Sequence, residues 1–219
     1  MNIKEAADSD VEVVVVSVGP DRVEESLRKC LAKGADRAIR VWSDEMEGSD
    51  SITVGRILAA VAEQEKPDMI FAGVQSSDDA NASTGISLSS YLNWPHAAVV
   101  AGLDYTPGSN KAVATRELEG GMAQDVEISC PAVLTIQLGI NTPRYASLRG
   151  IKQAAAKPIE EISLSDLGLS AEDVGADASF AQVRRMYIPE KGMATMIEGT
   201  PAEQAAKLAE IIKESNEKT

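Results

Sequence analysis

Hydrophobic residues in the first third of the chain alternate between continuous runs and helical spacing. The run from Val11 to Gly19, VEVVVVSVG, is almost entirely β-branched, which indicates a strand buried on both faces of a parallel sheet. The next segment, Asp21 to Gly34, has apolar residues at helical spacing, with Asp21 as a candidate N-cap and Gly34 as the stop. A strand followed by a helix is the first unit of an α/β pattern.

The same alternation continues to about residue 73. Residues Arg37 to Trp42 predict a second strand, a helix follows from about Ser51, and Asp68 to Gly73, DMIFAG, predicts a third strand. Each crossover helix must cover a face of the sheet that its strands form. The predicted fold class is therefore α/β, with a three-layer, Rossmann-like, mostly parallel sheet and helices on both faces.

The pattern changes after residue 96. Short β-rich runs separated by the turn segments TPGSN and EGG predict an antiparallel β meander, and Pro131 to Gln137, PAVLTIQ, could return to the main sheet. We predict an α/β nucleotide-binding domain over residues 1–158 and a C-terminal arm and helix over 159–219. Residues Asn2 to Ala7 resemble the end of a helix, so we expect the α/β domain to be N-terminally incomplete.

Composition excludes several classes of partner. The net charge of −13, from 34 acidic and 21 basic residues, disfavours nucleic acids and anionic membrane surfaces. No apolar run is long enough for a membrane span and no signal peptide is present, so we expect a cytoplasmic protein without membrane insertion. Cys30 and Cys130 have no metal-ligand spacing, and we expect both to be small buried hydrophobic side chains.

Small, polar and acidic residues follow the third predicted strand, in the segment Ala72 to Gly85, AGVQSSDDANASTG. Ligands of open parallel sheets bind at the carboxyl ends of the strands. A helix that begins near Ser83 or Thr84 would offer free N–H groups and a positive dipole end to an anion. On the residues alone, an ordinary solvated loop is equally compatible with this segment.

The lone histidine, His96, invites a catalytic role, but no Ser or Cys nucleophile motif accompanies it. We therefore favour a structural role for His96.

Five segments together carry a family resemblance over nearly the whole chain. Four of them are VGPDRVEESLRKCLAKGADRAIRV, AGVQSSDDANASTG, YLNWPHAA and RELEGGM. The fifth is CPAVLTIQLGINTPRYASLRGIKQAAAKPI, which contains the most specific piece, NTPRYASLRGI, from Asn141. The chain resembles the β (small) subunit of electron-transfer flavoproteins. The tail segment VRRMYIPEKGMATMIEGT is most similar to the flavoproteins of methylotrophic bacteria, whose electron donor is trimethylamine dehydrogenase.

The resemblance implies a heterodimer with a larger α subunit that holds most of the FAD. It also implies that the β subunit binds a structural AMP and docks a flavin-containing dehydrogenase. Members of the family begin with a strand and loop that this chain lacks at its start, which is why we expect an incomplete N-terminus. The C-terminal arm and helix would pack on the α subunit.

The resemblance also implies two sets of site residues. Gly73 to Thr84 correspond to the family's AMP-binding loop, in which Asp78 and Asp79 are assigned more weakly, to loop hydrogen bonds or to contacts with ribose and adenine. The candidate AMP residues are Val18 (through its backbone), Gly73, Gln75, Asp78, Asn81, Ser83 and Thr84.

The dehydrogenase-docking segment corresponds to Tyr145 to Ala156. Leu148 would be an exposed anchor that fills an apolar pocket of the partner, within a charged rim that includes Arg144. On the residues alone, Leu148 could equally be a core residue of a capping turn. The candidate docking residues are Tyr145, Leu148, Arg149, Ile151 and Lys152.

Three functional classes are compatible with the sequence. An electron-carrier subunit without bond-making catalysis of its own fits the resemblance best. An adenine-nucleotide α-hydrolase-type enzyme shares the predicted sheet layout but would need a phosphate-activating motif, and neither of the usual motifs is present. An adenine-nucleotide sensor would lack the docking segment.

Overall fold

The computed structural model describes residues 1–7, 10–190, 192 and 194–216. It divides into two compact units, of which the first is Met1–Gln182 and the second begins at Val183. The strands are β1 Val14–Val18, β2 Arg37–Val41, β3 Met69–Gly73, β4 His96–Asp104, β5 Lys111–Glu117, β6 Ala123–Ser129, β7 Ala132–Ile136 and β8 Glu160–Ile162. The α-helices are α1 Asn2–Ala6, α2 Glu24–Ala32, α3 Ser51–Glu65, α4 Thr84–Leu92, α5 Leu148–Ala156, α6 Gly175–Ala178 and α7 Pro201–Asn216.

The strands of the first unit form two sheets. One has the order β1-β2-β8 and is entirely parallel. The other has the order β3-β7-β4-β5-β6, in which β3, β7 and β4 are parallel and β4, β5 and β6 form the antiparallel meander. The α/β class, the mostly parallel pairing, the meander and the return of β7 to the sheet beside β3 are therefore as predicted, but β1 and β3 belong to different sheets.

Alternating side chains of β1 place helices on both faces of the first sheet. Val14, Val16 and Val18 pack into a cluster with Ile57 and Val61 of α3. The intervening Val13 and Val15 belong instead to a cluster that contains Leu27 and Leu31 of α2 and Ala154 of α5. Successive strand residues point to opposite faces, so this alternation fixes α3 on one side and α2 with α5 on the other.

The second sheet carries α4 on one face. Val133 of β7 packs with Leu88 of α4 and Ala59 of α3, whereas its neighbours Ala132 and Leu134 pack into a cluster made by β4, β5 and β6. Helices α3 and α4 approach closely because both contact surfaces are small: a Cβ at Gly55 would lie 2.7 Å from Ser87 Cβ and 3.0 Å from the Leu88 backbone nitrogen. Helix α3 is thus the element shared by the packing of both sheets.

Two expectations about burial were wrong. The valines of β1 are only half buried, because β1 is an edge strand of its sheet and pairs with β2 alone among the described residues. Cys30 is exposed, because it lies in the last turn of α2 away from the face formed by Leu27 and Leu31. Cys130 is half buried and packs against the meander cluster.

The first unit extends beyond the predicted boundary at Pro158. Ile162 in β8, Leu164 and Val174 are buried in the same cluster as Ile39 of β2, and β8 pairs with β2 from Ile39 to Val41. The compact unit therefore includes residues 159–182, because these few apolar side chains complete the core on the α3 side of the first sheet. The segment had no helical or strand periodicity because its strand is only three residues long.

The second unit contains one helix, α7, within its described residues. The helix is preceded by Thr200, whose backbone N–H and hydroxyl both donate to a carboxylate oxygen of Glu203 at 2.8 Å. Apolar side chains of this unit are exposed: Val183, Met186, Tyr187, Ile188 and Met196 before the helix, and Leu208, Ile211 and Ile212 on it.

Candidate functional site

The polar loop occupies the position that the sequence predicted, between the end of β3 at Gly73 and the start of α4 at Thr84. The side chains from Gln75 to Asn81 are exposed, including the candidate residue Asp78. The loop turns through two alanines in the left-handed region, Ala80 and Ala82, each with φ of 52°. Small side chains limit the steric cost of this conformation.

The N-terminus of α4 carries no side-chain cap. Ser83, at the N-cap position, makes no capping hydrogen bond, and its hydroxyl is instead 2.6 Å from the hydroxyl of Ser51 at the start of α3. The first N–H groups of an α-helix have no partner within the helix, so an uncapped terminus is available to an anionic ligand. The serine pair also brings the starts of α3 and α4 together.

The neighbouring terminus of α3 is closed. Asp50 Oδ1 accepts from the N–H groups of Ile52 at 3.1 Å and Thr53 at 2.8 Å, and Oδ2 accepts from Phe180 at 2.8 Å and Ala181 at 2.9 Å. Burial alone would raise the pKa of Asp50, but these backbone hydrogen bonds, with Thr53 first, lower it below its ordinary value. Of the two adjacent helix starts, α4 is therefore the one that lacks a carboxylate.

Glycines set how closely α4 approaches the sheet. A Cβ at Gly85 would lie 2.6 Å from Thr135 Cγ2 and 3.1 Å from Ala72 Cβ, so only glycine fits the first turn against β7 and β3. Apart from its two chain neighbours, no atom of the described residues would lie within 4 Å of a Cβ at Gly73, and the φ of Gly73 is not positive. The packing of this chain thus requires glycine at position 85, which was not among the residues predicted from the sequence. At position 73 the packing leaves open space.

Asp78 is engaged with its own loop. Its Oδ1 accepts from the Asp79 N–H at 2.8 Å, and the Ser76 hydroxyl, followed by that N–H, lowers the pKa of the Asp78 carboxyl. It is therefore ionised at neutral pH. Of the two alternatives considered for Asp78, the one observed within the chain is loop hydrogen bonding.

Val18 lies at the end of β1, in the first sheet, and its side chain packs into the α3-side cluster. The following N–H, of Gly19, donates to the Val41 carbonyl at 3.0 Å. The side chain of Val18 is therefore used in the core, which leaves only its backbone for the predicted contact. Val18 and Gly73 both end parallel strands, in the two different sheets.

The candidate docking segment begins as an irregular stretch and continues as α5. Tyr145 is 99% exposed, Leu148 is 88% exposed and Ile151 is 50% exposed. Leu148 is the first residue of α5, preceded by Ser147, whose hydroxyl accepts from the Gly150 N–H at 3.0 Å. Leu148 is therefore not a core residue of a capping turn, and Leu148 and Ile151 lie three residues apart on an exposed face.

Helix α5 is attached firmly to α2. A Cβ at Gly150 would lie 2.5 Å from the Ala32 carbonyl oxygen, so the two helices meet at a position where only glycine fits. Arg28 donates to the Ala154 carbonyl at 2.8 Å and also to the Lys157 carbonyl. Lys157 in turn donates to the Ala35 carbonyl at 2.8 Å. The exposed face of α5 is thus held on a fixed base.

Arg144, just before this segment, pairs with the N-terminal helix. Its guanidinium donates to both carboxylate oxygens of Glu5, at 2.5 and 2.9 Å, and to Asn2 Oδ1 at 3.2 Å. Helix α1 is itself held through Lys4, which donates to Asp36. The predicted charged rim therefore excludes Arg144, whose charge is neutralised within the chain, and this pairing across 139 residues had no local sequence signal.

No cluster of three or more His, Cys, Asp or Glu side chains that could hold a metal ion occurs within the described residues. His96 is exposed at the start of β4. Over the same described part of the chain, none of the helices combines the length and apolar composition needed to cross a bilayer.

Comparison with known proteins identifies relatives of this architecture. The family model described as "Electron transfer flavoprotein domain" matches residues 2–167. The chain is 77% identical, over 98% of its own length and 81% of the relative's, to an electron transfer flavoprotein subunit beta of Methylophilus methylotrophus. It is 36% identical to the human subunit beta, over 91% of this chain and 76% of the relative.

A third relative carries a different name. The chain is 36% identical, over 94% of its length and 78% of the relative's, to the caffeyl-CoA reductase-Etf complex subunit CarD of Acetobacterium woodii. The family model covers most of the chain, and all three relatives exceed the identity at which a shared family is secure. The chain therefore belongs to the electron transfer flavoprotein family, as a member of its β subunits.

Proposed function

We propose that the chain is the β subunit of a heterodimeric electron-transfer flavoprotein that accepts electrons from a flavin dehydrogenase, with trimethylamine dehydrogenase as the candidate donor. The observation that carries the docking part of this proposal is the exposure of Leu148. This residue is 88% exposed, and it lies on α5, whose opposite face packs against α2. A single exposed apolar anchor on a rigid base is typical of a small hot spot.

The rigid base matters for a carrier that must bind and leave quickly. Helix α5 is fixed by Gly150, Arg28 and Lys157, so little conformational entropy is lost when its exposed face meets a partner. The apolar side chains available on this face and just before it are few, namely Tyr145, Leu148 and Ile151. A small contact of this kind favours fast dissociation over tight binding.

FAD would be held mainly by the α subunit and would supply the one- and two-electron chemistry when bound. We assign to this chain the docking of the dehydrogenase and no bond-making catalysis. The exposed apolar side chains of the second unit, including Ile188 and Ile211, support the further proposal that the C-terminal arm and helix pack on the α subunit. The name of CarD, a subunit of a larger complex, is consistent with such assembly.

We also propose that the start of α4 binds the phosphate of a structural AMP. Three observations support this: the uncapped N-terminus of α4, the open space at Gly73, and the exposed polar side chains of Gln75 and Asn81. Ser83 and Thr84 would lie at the phosphate. Asp78 and Asp79 add negative charge to the same loop, so the phosphate must meet the N–H groups of α4 and not the carboxylates.

The docking proposal is tested by Leu148→Ala in the assembled flavoprotein. Loss of a hot-spot anchor should raise KM for the flavoprotein about 30-fold while FAD stays bound. Stopped-flow reduction by the dehydrogenase gives the rate, and the flavin absorbance of the purified protein gives FAD content. Leu138→Ala is the matched control, because Leu138 is 96% exposed but lies before the docking segment. Equal kinetics of the two variants would contradict the anchor role.

The AMP proposal is tested by changing Ser83 and Thr84 together to leucine. The bulkier side chains would block the start of α4, so the AMP released on denaturation should fall to a small fraction of the wild-type amount. Liquid chromatography of the released nucleotides measures it. Ser90→Leu is the control, because Ser90 is exposed near the other end of α4. A double variant with full AMP content would refute this assignment.

A further inference from the structure

Acidic residues are absent from one long stretch of an otherwise acidic chain. The protein has 34 Asp and Glu against 21 Lys and Arg, yet residues 128–159 contain no Asp or Glu and four cations. These cations are Arg144, Arg149, Lys152 and Lys157. The stretch includes the whole docking segment, so the surface around Leu148 differs in charge from the rest of the protein.

Two of the four cations are occupied inside the chain. Arg144 forms its bidentate pair with Glu5, and Lys157 donates to the Ala35 and Asp36 carbonyls. The other two, Arg149 and Lys152, are exposed and take part in no ion pair or side-chain hydrogen bond among the described residues. On α5, Arg149 comes one residue after the proposed anchor Leu148, and Lys152 comes four residues after it.

The helix beneath α5 adds to this positive charge. Ala32 at the end of α2 meets Gly150, and the next residue, Lys33, is exposed and likewise unpaired among the described residues. The nearby carboxylates are already paired: Glu25 with Lys29 at 2.6 Å, and Asp36 with Lys4. Glu24 is the remaining acid of α2, and it lies in the first turn, at the other end of the helix.

We infer that the docking surface of the partner has an apolar recess surrounded by carboxylates. The recess receives Leu148, and the carboxylates pair with Arg149, Lys152 and Lys33. This inference rests on the proposed function and adds the chemical character of the partner. A chain with a net charge of −13 repels an acidic protein at most orientations. A local cluster of free cations around the anchor selects the one orientation in which contact is attractive.

The structure favours a protein partner over an anionic membrane. The apolar part of this surface is confined to Tyr145, Leu148 and Ile151, and the rest of α5 ends in the short side chains of Ala155 and Ala156. Stable membrane binding needs a broad apolar face or a second anchor. A patch of one exposed leucine with three cations around it instead has the extent of a protein–protein hot spot with its charged rim.

The test is the ionic-strength dependence of flavoprotein reduction, in the assembled protein with its dehydrogenase. The variants Arg149→Glu and Lys152→Glu each change the net charge by two units, and Lys66→Glu makes the same change at the C-terminus of α3. At low salt, each reversal on α5 should lower the apparent second-order rate constant about tenfold relative to Lys66→Glu. The difference should shrink as salt is added, because screening weakens attraction and repulsion alike.

The outcomes separate this inference from the proposed function. If Leu148→Ala slows reduction but the α5 reversals behave like Lys66→Glu at every salt concentration, docking stands and the acidic rim is overturned. A rate that rises on charge reversal would show a basic partner surface and also overturn it. If the reversals leave reduction unchanged but abolish co-sedimentation with phosphatidylserine vesicles, the cations serve a membrane and not a protein.

Discussion

At the scale of single residues, Asp50 is the side chain with the most structural consequences. Its two oxygens accept from four backbone N–H groups, two at the start of α3 and two in the segment that follows α6. It therefore caps a helix and fixes the end of the first unit at the same time. The helix start at Ser51 was predictable from the sequence, but the second role depends on residues 130 and 131 positions away.

We expect Asp50→Ala to lower the free energy of unfolding at neutral pH by about 1–2 kcal/mol, because an N-cap is lost and two further N–H groups lose their acceptor. Chemical denaturation measures it. Asp44→Ala is the control, because Asp44 is exposed in the short turn before α3. A loss no larger than that of the control would show that Asp50 is not the cap of α3.

The stabilities of the wild type and of Asp50→Ala should depend differently on pH in the acidic range. The pKa of Asp50 is lowered in the folded protein, so its stabilisation is complete above the unfolded pKa of about 4 and is lost as the pH falls through the folded value. We therefore expect the stability difference between wild type and Asp50→Ala to shrink below about pH 4. A difference that is constant down to the acid-unfolding range would contradict the lowered pKa.

At the scale of elements, the contact between α2 and α5 determines how Leu148 is presented. We expect Gly150→Ala to destabilise the protein by about 1–3 kcal/mol and to slow reduction by the proposed dehydrogenase partner, because the new Cβ would lie 2.5 Å from a backbone oxygen of α2. Thermal unfolding and stopped-flow kinetics measure the two effects. Ser90→Ala is the control, because Ser90 is exposed near the end of α4 and outside the contact between α2 and α5. Normal kinetics in a destabilised Gly150→Ala protein would show that the position of α5 is not critical.

A second element-scale prediction concerns α1. The variant Glu5→Gln removes the charge that Arg144 neutralises, so the irregular stretch before Leu148 should exchange its amide hydrogens faster. Hydrogen exchange followed by mass spectrometry reports on residues 140–147 directly. Glu63→Gln is a suitable control, since Glu63 is exposed on α3 and forms no ion pair among the described residues. Unchanged exchange would mean that α1 does not order this stretch.

The sequence predicted elements best where periodicity was long and local. The start of α3 at Ser51, the β3 strand, the start of α4 and the three strands of the meander all follow from hydrophobic spacing and turn residues. Strand β8 and the pairing of Arg144 with Glu5 could not be predicted, because three residues carry no usable period and a long-range ion pair leaves no local pattern. For the candidate site, position along the chain was predictable, whereas the close packing of Gly85 and Gly150 required the fold.

At the scale of the whole molecule, the division after Gln182 makes a prediction about assembly. Truncation after Gln182 removes α7 but no member of the buried clusters, so the shortened chain should lose only the α7 contribution to its helical circular dichroism and should still unfold cooperatively. If the arm packs on the α subunit as proposed, the shortened chain should also fail to form the heterodimer in size-exclusion chromatography. A truncated chain that still forms a stable heterodimer would contradict the proposed role of the arm.

The separation of the strands into two sheets has a consequence for handling the protein. Strand β1 is an edge strand of the first sheet. The segment VEVVVVSV, which contains it, combines high β propensity with a single charge and no proline. Strand β3 is likewise an edge, with Phe71 about half exposed. Unpaired edges of this composition recruit other strands, so the isolated subunit is expected to aggregate through intermolecular β pairing as its concentration rises, and a lysine placed within β1 should delay that aggregation.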